Sequence, residues 1–126
     1  MNHQLIERGA RLTKTCRTAT DYRLYALTGT VPAKPGLVRD PSFRGSGIEL
    51  EIWAVPEDRF GDFVAIIPTP LGIGNVRLDD GEEVKCFVCE PFALSGATEI
   101  TQFGGWRAYR ASSKTPIAPI ENSALR

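Results

Sequence analysis

The residues best suited to chemistry lie in one stretch, Pro32–Val55, where a basic loop leads into a strand. Prolines and glycines interrupt the loop, which carries three cations: Lys34, Arg39 and Arg44. The strand, predicted over residues 48–55, has one apolar face and one face that carries Glu49, Glu51 and Trp53. Lysine and arginine bind carboxylates, and glutamates transfer protons. The stretch is therefore either an anion-handling site or a surface hairpin with a solvated acidic face.

Three further residues extend this candidate site. Gly36 lies between Lys34 and Arg39, and a glycine there lets a ligand approach the backbone closely. His3 has the side chain that titrates nearest to neutral pH, although a lone histidine near a terminus is also typical of a surface or helix-start position. Tyr25 shares a predicted strand face with a basic residue, and it either hydrogen-bonds a ligand or packs.

Composition excludes several classes of function. The chain has 126 residues, the size of one domain, with 15 basic and 15 acidic residues and no net charge. It therefore has no basic excess of the kind that attracts nucleic acid or anionic membranes. No apolar run approaches the length of about 20 residues that spans a bilayer, and the first residues lack a signal pattern. We expect a cytoplasmic protein.

The cysteines do not predict a metal or redox site. Cys86 and Cys89 have C-x-x-C spacing, but the surrounding run is a predicted strand, so the two thiols point to opposite faces. Zinc needs further ligands, and His3 is the single histidine. With Cys16 the number is odd, which argues against a disulfide framework. We expect thiols that pack as small apolar groups, with neither a metal nor a cofactor.

Hydrophobic periodicity and turn residues predict a mixture of helices and strands. Helices are expected over residues 2–9, 55–67 and 98–111, the second with a buried stripe at Phe60, Phe63, Val64 and Ile67. Strands are expected over residues 11–16, 22–27, 48–55, 76–78 and 84–89, the last two joined by a hairpin at Asp80-Gly81, while Gly72 and Gly74 predict a tight turn. The absence of a repeated βαβ unit predicts an α+β fold, a small curved mixed sheet or partial barrel with two or three flanking helices. The domain is expected to cover residues 1–112, followed by a flexible tail, 113–126.

Six segments together resemble the C-terminal domain of allophanate hydrolase, of the γ-glutamylcyclotransferase-like superfamily. The segments are N-H-Q-L at 2–5, Y-R-L-Y-A-L at 22–27, P-G-L-V-R at 35–39, I-E-L-E-I-W at 48–53, P-L-G-I-G at 70–74 and F-G-G-W-R-A-Y at 103–109. The resemblance covers most of the chain up to Ser112. It implies a small barrel-like mixed sheet with flanking helices. Members of this fold begin with a strand upstream of the segment that matches residues 2–5. Either the chain is truncated, its true start lies upstream, or that strand is dispensable; we expect the natural domain to begin before Met1.

The resemblance also implies a function in urea degradation. There an amidase domain hydrolyses allophanate, and the C-terminal domain takes the product, N-carboxycarbamate, towards carbamate by decarboxylation. True cyclotransferases of this fold use a glutamate just beyond the helix that follows the central strand. The corresponding residues here, 63–78, contain no acid, so cyclotransferase activity is not expected. The alternative function is a non-catalytic module that assembles with an amidase, docking through the aromatic face of the helix at 98–111, or that binds a small ligand.

Each candidate residue has an expected role in this reaction. Decarboxylation needs cations for the substrate carboxylates and an acid for the nascent nitrogen anion. The binding residues are expected to be Lys34, Gly36, Arg39 and Tyr25, and the acid–base residues Glu51, His3 and Glu49. The expected partners are a small anionic substrate, an amidase and, as a further alternative, a second copy of the chain in a homodimer.

Overall fold

A computed structural model describes residues 2–30 and 32–113, and the backbone of Ser123–Leu125. The three helices are α1 (Asn2–Glu7), α2 (Glu57–Ala65) and α3 (Trp106–Ser113). The eight strands are β1 (Arg11–Arg17), β2 (Tyr22–Ala26), β3 (Pro35–Arg39), β4 (Glu49–Ala54), β5 (Leu71–Arg77), β6 (Glu83–Cys89), β7 (Thr98–Glu99) and β8 (Ser123–Leu125). Short 3-10 helices cover Pro91–Leu94 and Thr101–Phe103.

The strands form two sheets. The larger has the order β1-β4-β8-β6-β5, and the smaller has the order β3-β2-β7. All described pairings are antiparallel except that of β4 with β8. The edge strands β1 and β5 meet at one end through a single bridge between Thr18 and Leu78, so the larger sheet curls. The α+β prediction is confirmed, but the described strands do not close into a barrel.

The core follows from the apolar faces of these elements. The larger cluster joins both sheets and α3 through the buried residues Tyr22, Leu24, Leu37, Ile48, Leu50, Ile52, Val76, Leu78, Val84, Cys86, Ile100 and Trp106. A second cluster of Leu5, Ala10, Trp53 and Phe63 holds α1 and α2 against β4. In α2 the predicted apolar stripe is only partly confirmed, because Phe63 is buried while Val64 is 36% exposed. Burial of apolar surface in these clusters is the main force that holds the elements in place.

The predicted loop before β4 contains a strand. β3 pairs along its length with β2, and its first residue is a proline, which is tolerated at the start of a strand. Gly36 is buried, and a Cβ placed there would lie 2.8 Å from both Cys89 Sγ and Leu27 Cδ2. The glycine is therefore required because β3 packs closely against β6. The same prolines and glycine hid the strand from the sequence prediction.

The predicted helix over residues 98–111 is wrong in its first half. Thr98–Glu99 pairs with β2, and Gly104 has a left-handed φ of 79°, so the helix begins only at Trp106. The Glu49 N–H donates to the Gly104 carbonyl at 2.8 Å, which ties this turn to β4. The tight turn predicted at Gly72 and Gly74 is also wrong, because both glycines lie within β5 and pair with β6.

The β5–β6 hairpin turn and the end of α1 agree with the sequence prediction, whereas strand β8 was not predicted. The Asp80-Gly81 turn joins β5 to β6 in an antiparallel hairpin, and Gly81 has a φ of 88°. α1 ends before Gly9, whose φ is 77°. Within the tail predicted as flexible, residues 114–122 lie outside the described part of the chain, and Ser123–Leu125 pair with β4 and β6. No helix in the described residues is long and apolar enough to cross a membrane.

Candidate functional site

A polar cavity of about 490 Å³ lies where three loops meet. One wall comes from the β2–β3 connection, the second from the segment between α2 and β5, and the third from the 3-10 helix after β6. Its lining residues are Thr28, Gly29, Thr30, Lys34, Pro68, Thr69, Pro70, Phe92, Ala93 and Ser95. The volume is within the range of small-molecule sites in proteins.

Backbone hydrogen bonds fix all three walls. The Leu27 N–H donates to the Lys34 carbonyl at 3.0 Å, and the Lys34 N–H donates to Thr30 Oγ1 at 3.1 Å. These two bonds close the β2–β3 connection and place Lys34 at the cavity. In the second wall the Thr69-Pro70 peptide is cis, and the Pro70 carbonyl accepts from the Glu90 N–H at 2.9 Å. That bond joins the second wall to the end of β6, where the third wall begins.

Among the described residues that line this cavity, Lys34 is the one that carries a charge. Its ammonium has no hydrogen-bond or ion-pair partner within the described part of the chain. The surrounding hydroxyl groups, from Thr28, Thr30, Thr69 and Ser95, can donate hydrogen bonds. A lysine without an internal counterion, surrounded by donors, suits a small anion.

The other cations of the predicted basic loop are neutralised or bonded by the protein itself. Arg39 pairs with Asp21 at 2.8 Å, and this guanidinium holds the pKa of Asp21 below its ordinary value. Arg44 donates to the carbonyls of Pro41 and Phe43. The structure therefore leaves Lys34 as the cation of this loop that faces a cavity.

Arg23, two residues before Tyr25 in β2, is the centre of a polar network. Arg23 donates to Asp40 at 2.9 Å and to Glu99 at 2.8 Å, and its guanidinium stacks 4.1 Å from the centroid of the Phe43 ring. Partial burial, and then the Glu99 carboxylate, raise the pKa of Tyr25. Burial raises the pKa of Glu99 as well, but hydrogen bonds from Arg23 and a threonine outweigh burial and leave that pKa below its ordinary value.

This network lines a second cavity, of about 410 Å³. Its lining residues are Phe43, Gly45, Ser46, Glu99, Thr101, Gln102 and Gly104. Glu99 is the charged residue among the described residues of this lining, and it shares the Arg23 guanidinium with Asp40, so the network keeps an excess of negative charge. The second cavity is therefore less suited than the Lys34 cavity to bind an anion.

Glu51 lies in a separate cluster and not in either cavity. It is 6% exposed, and its Oε2 accepts from Arg107 at 2.8 Å. Its Oε1 accepts from the indole N–H of Trp53 at 3.2 Å and from the amide of Asn2 at 3.5 Å. Burial of a carboxylate is costly unless it is paired and hydrogen-bonded, and these contacts provide that compensation. The cluster links β4 to α1 and to α3.

The remaining acid–base candidates lie at the surface. Glu49 is exposed at the start of β4, and His3 is exposed on α1. The alternative interpretation, in which the face of β4 with Glu49 and Glu51 is solvated, is wrong for Glu51 and Trp53, both of which are buried. The structure does not bring Lys34, Arg39, Glu51 and His3 into one pocket, since each has a different set of neighbours. Gly36 has a packing role under Cys89.

The cysteines have the environment expected from the sequence. Cys86 is buried, and burial raises the pKa of its thiol to about 12. Cys89 is partly buried, and burial raises its pKa as well. All three cysteines are free thiols, and no cluster of histidine, cysteine or acidic residues in the described chain is arranged to hold a metal ion.

Comparison with known proteins assigns the family. The family model of the allophanate hydrolase C-terminal domain matches residues 1–111. The chain belongs to the allophanate hydrolase C-terminal domain family. The resemblance stated from the six segments is therefore confirmed. Urea amidolyases are similar in sequence: that of Lachancea kluyveri is 47% identical over 74% of the chain, and that of Saccharomyces cerevisiae is 43% identical over 86%.

Solved structures of similar proteins share the fold. Kluyveromyces lactis allophanate hydrolase is 45% identical, with a TM-score of 0.85 over 89% of this chain, and a uropathogenic E. coli-specific protein is 31% identical, with a TM-score of 0.78. The chain spans 5% and 6% of the length of the two urea amidolyases and 19% of the allophanate hydrolase. It spans 84% of the E. coli protein.

The sequence prediction missed residues of both the Glu51 cluster and the Lys34 cavity. Arg107 was not singled out, although it pairs with Glu51 across 56 residues of sequence. The hydroxyl residues of the Lys34 cavity were also missed, because they come from three loops that are distant in sequence. Trp106 does not contribute to the aromatic docking face predicted on the last helix, because it is only 2% exposed. No local pattern reports these long-range contacts.

Proposed function

We propose that this domain binds N-carboxycarbamate, or a related small dicarboxylate, in the Lys34 cavity and releases one carboxylate as carbon dioxide. The proposal is supported by family membership and by one observation: Lys34 lines a polar cavity without an internal counterion. The domain is thus the module for the second step in the breakdown of allophanate. The whole activity of a urea amidolyase requires further domains, since this chain corresponds to 5% and 6% of two such proteins.

Lys34 supplies both the charge and the proton in this proposal. Its ammonium holds a substrate carboxylate by a charge-assisted hydrogen bond, and hydroxyl groups of the other walls bind the remaining oxygens. The C–N bond to the second carboxylate then breaks, its electron pair stays on nitrogen, and carbon dioxide leaves. The nitrogen takes a proton from the Lys34 ammonium, the charged N–H donor among the described lining residues, and water restores that proton. The products are carbamate and carbon dioxide.

This assignment changes the roles expected from the sequence. Lys34 keeps its predicted binding role and acquires the proton-donor role predicted for Glu51, Glu49 or His3. Those three residues lie outside the cavity lining. Arg39, expected to bind substrate, is paired with Asp21 at the surface.

The test uses an isolated amidase domain to generate the intermediate from ¹³C-labelled allophanate, with this chain added in trans. Carbon-13 NMR follows the loss of N-carboxycarbamate. Addition of the wild-type chain should speed the loss of the intermediate, whereas Lys34→Gln should not. Lys14→Gln is the matched control, because Lys14 is an exposed lysine on β1 away from the cavity. A rate that is the same with and without the chain would refute the proposal.

A non-catalytic ligand-binding module is the second candidate, supported by the same cavity. It predicts that carboxylates bind in a Lys34-dependent manner while the rate of loss of the intermediate is unchanged. Binding and rate measured on one preparation therefore separate the two candidates.

A further inference from the structure

The charge in the Lys34 cavity lies on one wall only. The β2–β3 connection provides Lys34 together with Thr28, Gly29 and Thr30. The two opposing walls provide prolines, Phe92 and Ala93, and the hydroxyl groups of Thr69 and Ser95. The described lining thus presents one cation against two neutral walls.

A ligand with two carboxylates meets unequal surroundings in such a cavity. The carboxylate at Lys34 gains a charge-assisted hydrogen bond, which is roughly twice as strong as a neutral one. The other carboxylate exchanges part of its water shell for hydroxyl groups and apolar surface, and no described lining residue of those walls carries a positive charge to compensate it. Neither Arg39 nor Arg23 can fill this gap, because each is paired with acidic residues elsewhere.

We infer that the cavity balances a single negative charge and recognises one carboxylate joined to a less polar or neutral group. This inference rests on the proposed function. In that reaction the carboxylate at Lys34 is retained in the product, and the carboxylate at the neutral walls is lost as carbon dioxide. Carbon dioxide is uncharged and apolar, so the neutral walls favour the product of that bond cleavage over the bound anion. The cavity is therefore selective for charge at one end only.

Three stable probes test this inference on the whole chain: malonate, a dianion; malonamate, its singly charged monoamide; and malonamide, which is neutral. Each is titrated near neutral pH, and dissociation constants are taken from amide chemical-shift changes. Malonamate should bind at least as tightly as malonate. Lys34→Gln should weaken malonamate binding by about ten-fold or more, the contribution of one charge-assisted hydrogen bond. Malonamide binding should respond neither to Lys34→Gln nor to the control Lys14→Gln.

Three results would overturn the inference. Malonate binding that is tighter than malonamate binding would reveal a second cation in the site. Malonamate binding that is insensitive to Lys34→Gln, or absent, would show that Lys34 does not hold the carboxylate. The rate assay with the amidase is independent of these titrations. A preference for malonate with faster loss of the intermediate would defeat the charge inference alone, and a preference for malonamate with an unchanged rate would defeat the proposed reaction alone.

Discussion

Replacement of Arg107 by methionine tests whether the Glu51 cluster stabilises the fold. Methionine replaces the aliphatic part of the arginine side chain with an unbranched, apolar one. It removes the guanidinium that donates to Glu51 Oε2 at 2.8 Å. Glu51 remains 6% exposed and then has only the weaker contacts to Trp53 and Asn2. The variant thus leaves a buried carboxylate without its cation.

The expected magnitude follows from the unequal burial of the two partners. Loss of one partner of a fully buried ion pair costs about 3–5 kcal/mol, whereas an exposed pair contributes about 0–1 kcal/mol. The Glu51 side chain is 8% exposed and that of Arg107 is 55% exposed, so water screens half of the pair. We therefore expect Arg107→Met to lower the free energy of unfolding by about 1–2 kcal/mol, between these limits.

Urea denaturation followed by circular dichroism measures this change. The matched control is Arg59→Met, because Arg59 pairs with Asp62 at the surface, with side-chain exposures of 45% and 53%. The control should cost less than about 0.5 kcal/mol. The double variant Glu51→Gln/Arg107→Met should be more stable than Arg107→Met, since the buried charge is gone. If Arg107→Met costs no more than Arg59→Met, the reasoning fails, and Glu51 returns as a candidate for acid–base chemistry.

Three other predictions follow from the packing and the pKa shifts. Gly36→Ala should destabilise the fold by about 1–3 kcal/mol through overpacking, and an unchanged urea midpoint would show that β3 can move away from β6. The pKa values of Asp40 and Glu99 are lowered in the folded state, so their contribution to stability is complete above the ordinary values of 3.8 and 4.5 and is lost as pH falls through the lowered values. Arg23→Gln should reduce the fall in melting temperature as the pH is lowered in a series of thermal melts. An unchanged pH dependence of the melting temperature would contradict the pairing of Arg23 with Asp40 and Glu99. Cys86 should resist thiol reagents near neutral pH in the folded chain and react once urea unfolds it, because burial raises its pKa to about 12; fast labelling of Cys86 in the native state would contradict its burial.

Much of the secondary structure was predictable because its signals are local. The alternation over residues 48–55 predicts β4, Asp80-Gly81 predicts the β5–β6 hairpin, and Gly9 predicts the end of α1. These patterns act through neighbouring backbone geometry and through the side-chain periods of helices and strands. The family was predictable for a related reason, since six short segments in a fixed order are a property of the sequence.

The elements that were missed depend on distant partners. β3 begins with a proline and contains a glycine, and it exists because β2 pairs with it and β6 packs on it. The helix predicted over residues 98–111 has the right apolar spacing, but Thr98–Glu99 is drawn into a sheet by β2, and Gly104 interrupts what remains. In both cases tertiary contacts override local propensity.

For the candidate site, the sequence by itself determined which cations and acids are present. Their roles were decided by the tertiary structure, through ion pairs between residues far apart in the chain. Arg39 is neutralised by Asp21, and Glu51 is buried against Arg107, 56 residues away. Lys34 lacks such a partner in the described structure and lines a cavity. The physical reason is that a charge can bind a ligand only where the fold leaves it uncompensated, and compensation depends on distances that no local pattern encodes.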